Sequence, residues 1–124
     1  MKSTNDQLSS ILLTVELYRD GHYYLDNEKL QQAFHPLAHI IGYVAGGELM
    51  FVNREEYLSR LNSHKPPSEL GGLPDTKVVS VDITETTAVV KVESLLSGAR
   101  YISQLSMLKV QSHWQIVSGV FHRV

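Results

Sequence analysis

The sequence predicts an α+β fold, with helices gathered at the front of the chain and strands at the back. Two observations carry this. From Lys77 to Val124, apolar runs rich in Val and Ile are separated by turn residues at Glu85-Thr86, Ser97-Gly98 and Gln111-Ser112, the mark of a four-stranded antiparallel meander. Ahead of it, apolar residues recur at the three- and four-residue steps of helices. A sheet that long needs at least one face covered, and only the first half of the chain can supply the cover.

The front elements follow in order. Leu8, Ile11, Leu12, Val15 and Tyr18 make one helical stripe that His22 continues, capped by Thr4 or Asn5 and ended by Gly21, with Leu13 and Leu17 on a second flank. Asp26 caps a short second helix with Leu30, Ala33 and Phe34 inward, which Pro36 stops at His35. Ala38 to Val44 reads as a strand, turned by Ala45-Gly46-Gly47 into Glu48 to Val52. Asn53-Arg54-Glu55-Glu56 is a capping box opening a third helix with Tyr57, Leu58 and Leu61 inward, and Lys65-Pro66-Pro67 ends it. Ser63 to Thr76, rich in Pro and Gly, is a long loop of the kind that either serves as a lid or stays disordered.

The meander can be registered from turn length, because side chains alternate between faces. Two-residue turns set Val81 opposite Val90, Val79 opposite Val92 and Ile83 opposite Ala88. They also set Val90 opposite Leu105, Val92 opposite Ser103 and Ser94 opposite Tyr101. An even-length last turn adds Trp114, Ile116, Ser118, Val120 and His122 to that face. It then holds an apolar core ending in a polar group of Ser94, Tyr101, Ser103 and His122. The other face mixes Lys91, Glu93 and Gln104 with Val89, Ile102, Leu108, Val117 and Phe121. That mixture suits an interface, so a homodimer through the sheet is expected.

Composition sets outer bounds. At 124 residues the chain, 1–124, is expected to be a single domain. A net charge of −2 without a basic stripe argues against nucleic-acid binding. No cysteine is present, which excludes disulfides, thiolate nucleophiles and cysteine zinc sites. The opening MKSTNDQLSS does not read as a signal peptide, and no stretch reaches the roughly 20 apolar residues of a membrane span, so a cytoplasmic protein without membrane contact is expected.

With this order in hand, the sequence resembles the nuclear transport factor 2-like superfamily, its SnoaL-like branch and, within that, the putative lumazine-binding family. The likeness rests on YRDGHYY at 18–24, LQQAFHP at 30–36, GYVAGGEL at 42–49, NREEYLSRL at 53–61, AVVKVES at 88–94 and YISQLSMLKVQSHWQIVSGVFH at 101–122. It implies a cone-shaped fold in which three helices pack on a curved, mostly antiparallel sheet around a pocket open at one end. Relatives with this fold often pair sheet to sheet. The ketosteroid isomerases of that superfamily carry a Tyr and a Phe at the spacing of Tyr18 and Phe34. Their carboxylate base would fall at Gly42, between His39 and Tyr43, and Leu37 stands where many SnoaL-like relatives have Asp. Proton abstraction needs a base within reach of the carbon, so isomerase chemistry of that type is not expected.

The remaining chemistry is sparse. His35 and His39 have a metal-pair spacing, but Pro36 breaks the helix between them and no acid lies near, so no metal and no cofactor are expected. His64 and His113 fall at a helix end and a turn. No nucleophile elbow or phosphate-binding glycine loop occurs. The expected function is binding of a flat, largely apolar small molecule without a catalytic set. The alternative is a SnoaL-like isomerase or cyclase using His22, His122 or Tyr18. The expected pocket has Tyr18, Phe34, Ile41, Tyr57 and Val92 as its apolar wall, and Tyr101, Ser103, His122 and His22 as polar anchors. A neutral imidazole at position 122 suits a heteroaromatic or enolic ligand better than an anion.

Overall fold

The computed structural model describes residues 4–96 and 98–124. Three helices, α1 (Thr4–Tyr24), α2 (Asn27–Ala33) and α3 (Arg54–Leu61), lie with six strands, β1 (Phe34–Tyr43), β2 (Leu49–Asn53), β3 (Thr76–Thr84), β4 (Thr87–Leu96), β5 (Ala99–Val110) and β6 (His113–Arg123). The strands form one sheet in the order β2-β1-β6-β5-β4-β3, antiparallel except where β1 runs parallel to β6. α1 packs across β6, α2 lies against α1 and the start of β1, and α3 covers β1 and β2.

Local chemistry accounts for the helix ends. The Asp26 side chain accepts the Lys29 amide at 3.2 Å, and Asn53 accepts that of Glu56 at 2.9 Å, each satisfying a first-turn donor. Gly21 does not end α1, which runs on to Tyr24. It lets α2 approach instead, because a Cβ there would lie 2.7 Å from two Leu30 side-chain carbons. α2 ends at Ala33, and Phe34 is already extended, so β1 begins four residues before the expected Ala38. Pro36 sits where the β1–β6 register is broken, so its missing N–H interrupts no ladder.

The meander strands match expectation closely, and the Gln111-Ser112 turn has both residues in the left-handed region, as type I′ hairpins require. Of the Ser97-Gly98 turn, Ser97 lies outside the described residues, while Gly98 has a φ of +80°. The pairs Val81–Val90, Ile83–Ala88, Val90–Leu105, Val92–Ser103 and Ser94–Tyr101 form as predicted.

Two β-bulges correct the rest. Val79 is an extra residue on β3, so Val78 rather than Val79 faces Val92. Val117 is an extra residue on β6: Met107 pairs with Ile116 but Ser106 with Ser118. Beyond Val117 every side chain of β6 changes face relative to the expected register. Gly119, Phe121 and Arg123 therefore point inward, while Ser118, Val120 and His122 point out. The predicted row of Val81, Val90 and Leu105 ends on Gly119, not on Ile116 or Ser118, and continues through Ile40 to Val52 across all six strands.

The core lies between the helices and the inner sheet face. Ile11, Leu30, Phe34, Val90, Leu105, Trp114 and Ile116 are fully enclosed there. α1 is tied to the sheet by the Thr14 hydroxyl, which donates to the Trp114 carbonyl at 2.7 Å within that core. The long loop contains a single 3-10 turn, Pro67–Leu70, and is pinned to α1 by the Tyr23 hydroxyl, which donates to the Gly72 carbonyl.

Candidate functional site

α3 is the element that builds the site. Helical spacing puts Tyr57, Arg60 and Leu61 on one face, with His64 following just past the helix end. That face looks down onto β1, β5 and β6, and between them lies a cavity of about 640 Å³. Its walls include Ile40 of β1, Met50 of β2, Leu105 of β5 and Phe121 of β6. Gly119 helps to open it, since this residue of the inner face has no side chain to fill the space. The exposed members of the lining, Ala45, Arg60, Ser63, His64 and Arg123, mark the mouth.

An aromatic cluster closes the inner end. Tyr18 and His22 pack with centroids 4.3 Å apart and their ring planes tilted by 57°, and Phe34 and Tyr57 meet edge to face at 5.8 Å. His22 lies 5.8 Å from the Tyr57 ring, behind the cavity wall. Its Nδ1 is 2.7 Å from the Tyr18 carbonyl and its Nε2 is 2.6 Å from the Tyr57 hydroxyl. A carbonyl can only accept, so Nδ1 carries the proton, Nε2 is the acceptor and Tyr57 donates to it. The Tyr57 oxygen is left with lone pairs to offer. Ser103 is in hydrogen-bonding contact with the Tyr18 hydroxyl.

Burial sets the protonation of these groups. His22, 3% exposed, has its pKa lowered to about 4 by desolvation, against which the bond to the Tyr18 carbonyl works in the opposite direction. It is neutral at pH 7. Burial likewise raises the Tyr18 phenol and pushes that of Tyr57 well above its ordinary value, with Tyr18 and Tyr101 adding to the effect on Tyr57. Two neutral phenols, Tyr18 and Tyr57, and Ser103 thus share the inner half of a cavity that no carboxylate lines among the described residues, with Tyr101 nearer the mouth, opposite Arg123.

Five of the expected site residues line the cavity: Tyr18, Phe34, Tyr57, Tyr101 and Ser103. His22 supports it from behind. Val92 is on the inner face but wholly packed, away from the cavity. Ile41 and His122 do not contribute. Alternation along β1 turns Ala38, Ile40 and Gly42 inward and leaves Ile41 on the opposite face. The bulge at Val117 turns His122 outward, opposite Ile102, and places Arg123 opposite Tyr101. Tyr101 and His122 therefore stand on opposite faces, and the polar group anticipated around them is corrected to Tyr101, Ser103 and Arg123. Arg60 was legible as the residue one turn after Tyr57. Arg123, Gly119 and Phe121 were hidden by the bulge.

His35 and His39 do not converge on a metal-binding set. His35 Nδ1 accepts the Leu37 amide at 3.0 Å, and His39 lies against Phe51 with ring centroids 5.6 Å apart.

A cone of three helices on a curved sheet, open at one end, defines a nuclear transport factor 2-like protein. Solved structures agree: an NTF2-like protein of unknown function from Silicibacter pomeroyi superposes with a TM-score of 0.91 at 23% identity, covering 99% of this chain and 100% of that one. Another from Methylobacillus flagellatus gives 0.87 at 26% identity, covering 99% and 96%. Residues 6–122 match the family described as "Putative lumazine-binding", and the chain belongs to that family. It is also 28% identical to aldolase FrzH of Cladobotryum over 121 residues, 96% of this chain and 93% of that protein.

Proposed function

We propose that the protein binds a flat, largely apolar small molecule bearing a carbonyl or enol, seated in the cone with its oxygen at the inner end. The observation that carries this is the polarity gradient of the cavity. Its walls are aliphatic and aromatic, while Tyr18, Tyr57 and Ser103 present hydroxyls at its base. Tyr57 gives its proton to His22, and of the Tyr18–Ser103 pair one hydroxyl proton stays free. A ligand carbonyl oxygen that accepts it binds preferentially over a hydrocarbon of the same shape, while an enol hydroxyl can donate to the Tyr57 oxygen. Membership in the putative lumazine-binding family supports a ligand-binding fold. The test is a thermal-shift series comparing 1-tetralone with tetralin, which share a skeleton and differ in the carbonyl. Stabilisation by the ketone alone, lost in Tyr18→Phe combined with Ser103→Ala, is expected. Equal response to both compounds would contradict the reading.

A second reading is favoured by the name of the FrzH relative: proton transfer next to a carbonyl, as an aldol reaction requires. Tyr18 is suited to polarise a carbonyl oxygen. The Tyr57–His22 pair is the available proton acceptor, but a histidine with a pKa of about 4 is a weak base at pH 7. Binding therefore stands first. Deuterium exchange at the carbon beside the carbonyl of 1-tetralone in D2O, accelerated by the protein and abolished by Tyr57→Phe, is the result that would establish the catalytic reading.

The partner we propose is a second copy of the chain. No helix covers the outer sheet face among the described residues, and Leu37, Phe51, Val89, Leu108 and Val120 are exposed on it. Phe121, expected in this patch, belongs to the inner face instead.

A further inference from the structure

The chain has five arginines, and their pairing is uneven. Arg19, Arg54 and Arg100 each lie within 4.0 Å of a carboxylate, on Asp20, Glu55 and Asp75 respectively. Arg60 and Arg123 have no such partner among the described residues, and these are the two that line the cavity. In a chain of net charge −2, carboxylates are not in short supply. Arg60 comes from α3 and Arg123 from the end of β6, so two separate elements deliver cationic forks to one mouth. His64 stands beside them in the lining, and no Asp or Glu does.

We infer that the ligand carries an oxyanion, a carboxylate or a phosphate ester, that leaves the cavity last and is held at its mouth by Arg60 and Arg123. The guanidinium presents donors in a planar fork that matches both groups, and a charge-assisted bond of this kind is roughly twice as strong as a neutral one. At the inner end only neutral phenols and a hydroxyl are available, so the anionic end has one orientation open to it. The ligand class is then an amphiphile: a flat apolar body, an uncharged oxygen at the base and an oxyanion at the rim. This reverses the preference against anions expected from a neutral His122, because the bulge at Val117 replaces that imidazole with Arg123 at the site.

This inference rests on the cavity being the binding site, and the probes keep the two ideas separable. 6-Hydroxy-2-naphthoate and 2-naphthyl phosphate are compared with 2-naphthol by titration calorimetry. In the unaltered protein at least one of the two anions should bind about tenfold more tightly than 2-naphthol. Arg60→Gln and Arg123→Gln should each erode that advantage while leaving the affinity for 2-naphthol unchanged. Added salt should weaken the anions and spare the neutral probe, a measurement that needs no variant. The tighter of the two anions identifies which oxyanion the rim prefers. Equal affinity of all three probes, or an advantage that survives in the double variant, overturns the inference but leaves the cavity as the binding site. Binding of none of them overturns both.

Discussion

The ring of Phe121 occupies the space that any side chain at Gly42 would need. A Cβ at position 42 would lie 2.6 Å from the Phe121 carbonyl oxygen and 2.7 Å from two of its ring carbons. The sequence resemblance would set the carboxylate base of a ketosteroid isomerase at this position, and here the Phe121 ring leaves no room for any side chain. Gly42→Ala should destabilise the fold by about 1–3 kcal/mol through overpacking. Phe121→Ala in the same chain should recover only part of the loss, because the backbone oxygen stays. Urea unfolding of the two single variants and the double variant measures the coupling, and strictly additive losses would show that the two positions do not compete.

The buried imidazole makes stability depend on pH. His22 gives up its proton near pH 4 when folded and near 6.5 when unfolded. Between those values the unfolded chain binds more protons, so stability falls as pH drops through this window and is complete above it. The size is on the order of 3 kcal/mol. Denaturant midpoints for the native chain and His22→Gln at neutral and acidic pH should show a smaller pH difference in the variant. The same difference in both would remove His22 as the source.

The direction of the Tyr57–His22 bond is open to direct observation. Nitrogen chemical shifts of the imidazole at neutral pH should report a neutral ring protonated on Nδ1. A proton on Nε2 would leave Nδ1 facing the Tyr18 carbonyl, acceptor against acceptor. Tyr57→Phe removes the donor from a buried nitrogen and should cost about 1–3 kcal/mol. Tyr101→Phe, at a more exposed position, should cost less.

For the outer sheet face the expected result is a dimer at micromolar concentration in sedimentation. Val120→Asp places a charge on that face and should shift the equilibrium to monomer, whereas Phe121→Asp should unfold the chain through its inner-face position. A monomeric native chain would end the proposal.

Much of the architecture was legible because period and turn chemistry agree across it. Alternation in β3, β4 and β5, joined by two-residue turns, determines five correct cross-strand pairs, three of them between β4 and β5. Helix caps at Asp26 and Asn53 were visible from residue type alone. What was not legible depends on tertiary contact. Gly21 looks like a helix terminator, and only the approach of Leu30 shows why it stays inside α1. Ile40 and Ile41 are adjacent and chemically alike, so which of them faces inward depends on where β1 begins. The bulges at Val79 and Val117 have no sequence mark, since an extra Val in a run of strand residues fits either register. Tyr18 and Tyr57 reach the cavity by helix period, as read from the sequence, whereas Phe34, read as the inner face of α2, reaches it from the start of β1. His122 was misplaced because it lies beyond the bulge.

That extra residue in β6 has a consequence for descent within the family. Below it, Trp114 and Ile116 keep their core positions whether Val117 bulges or pairs; above it, taking Val117 into the ladder would make every side chain trade faces. Flattening the bulge would withdraw Arg123, Phe121 and Gly119 from the cavity and present His122, Val120 and Ser118 in their place. Deleting Val117, by contrast, would leave Ser118 against Ser106 and every face as it is. In lineages that share this scaffold, ligand preference can change by whether one strand keeps its bulge rather than by gradual replacement of lining residues.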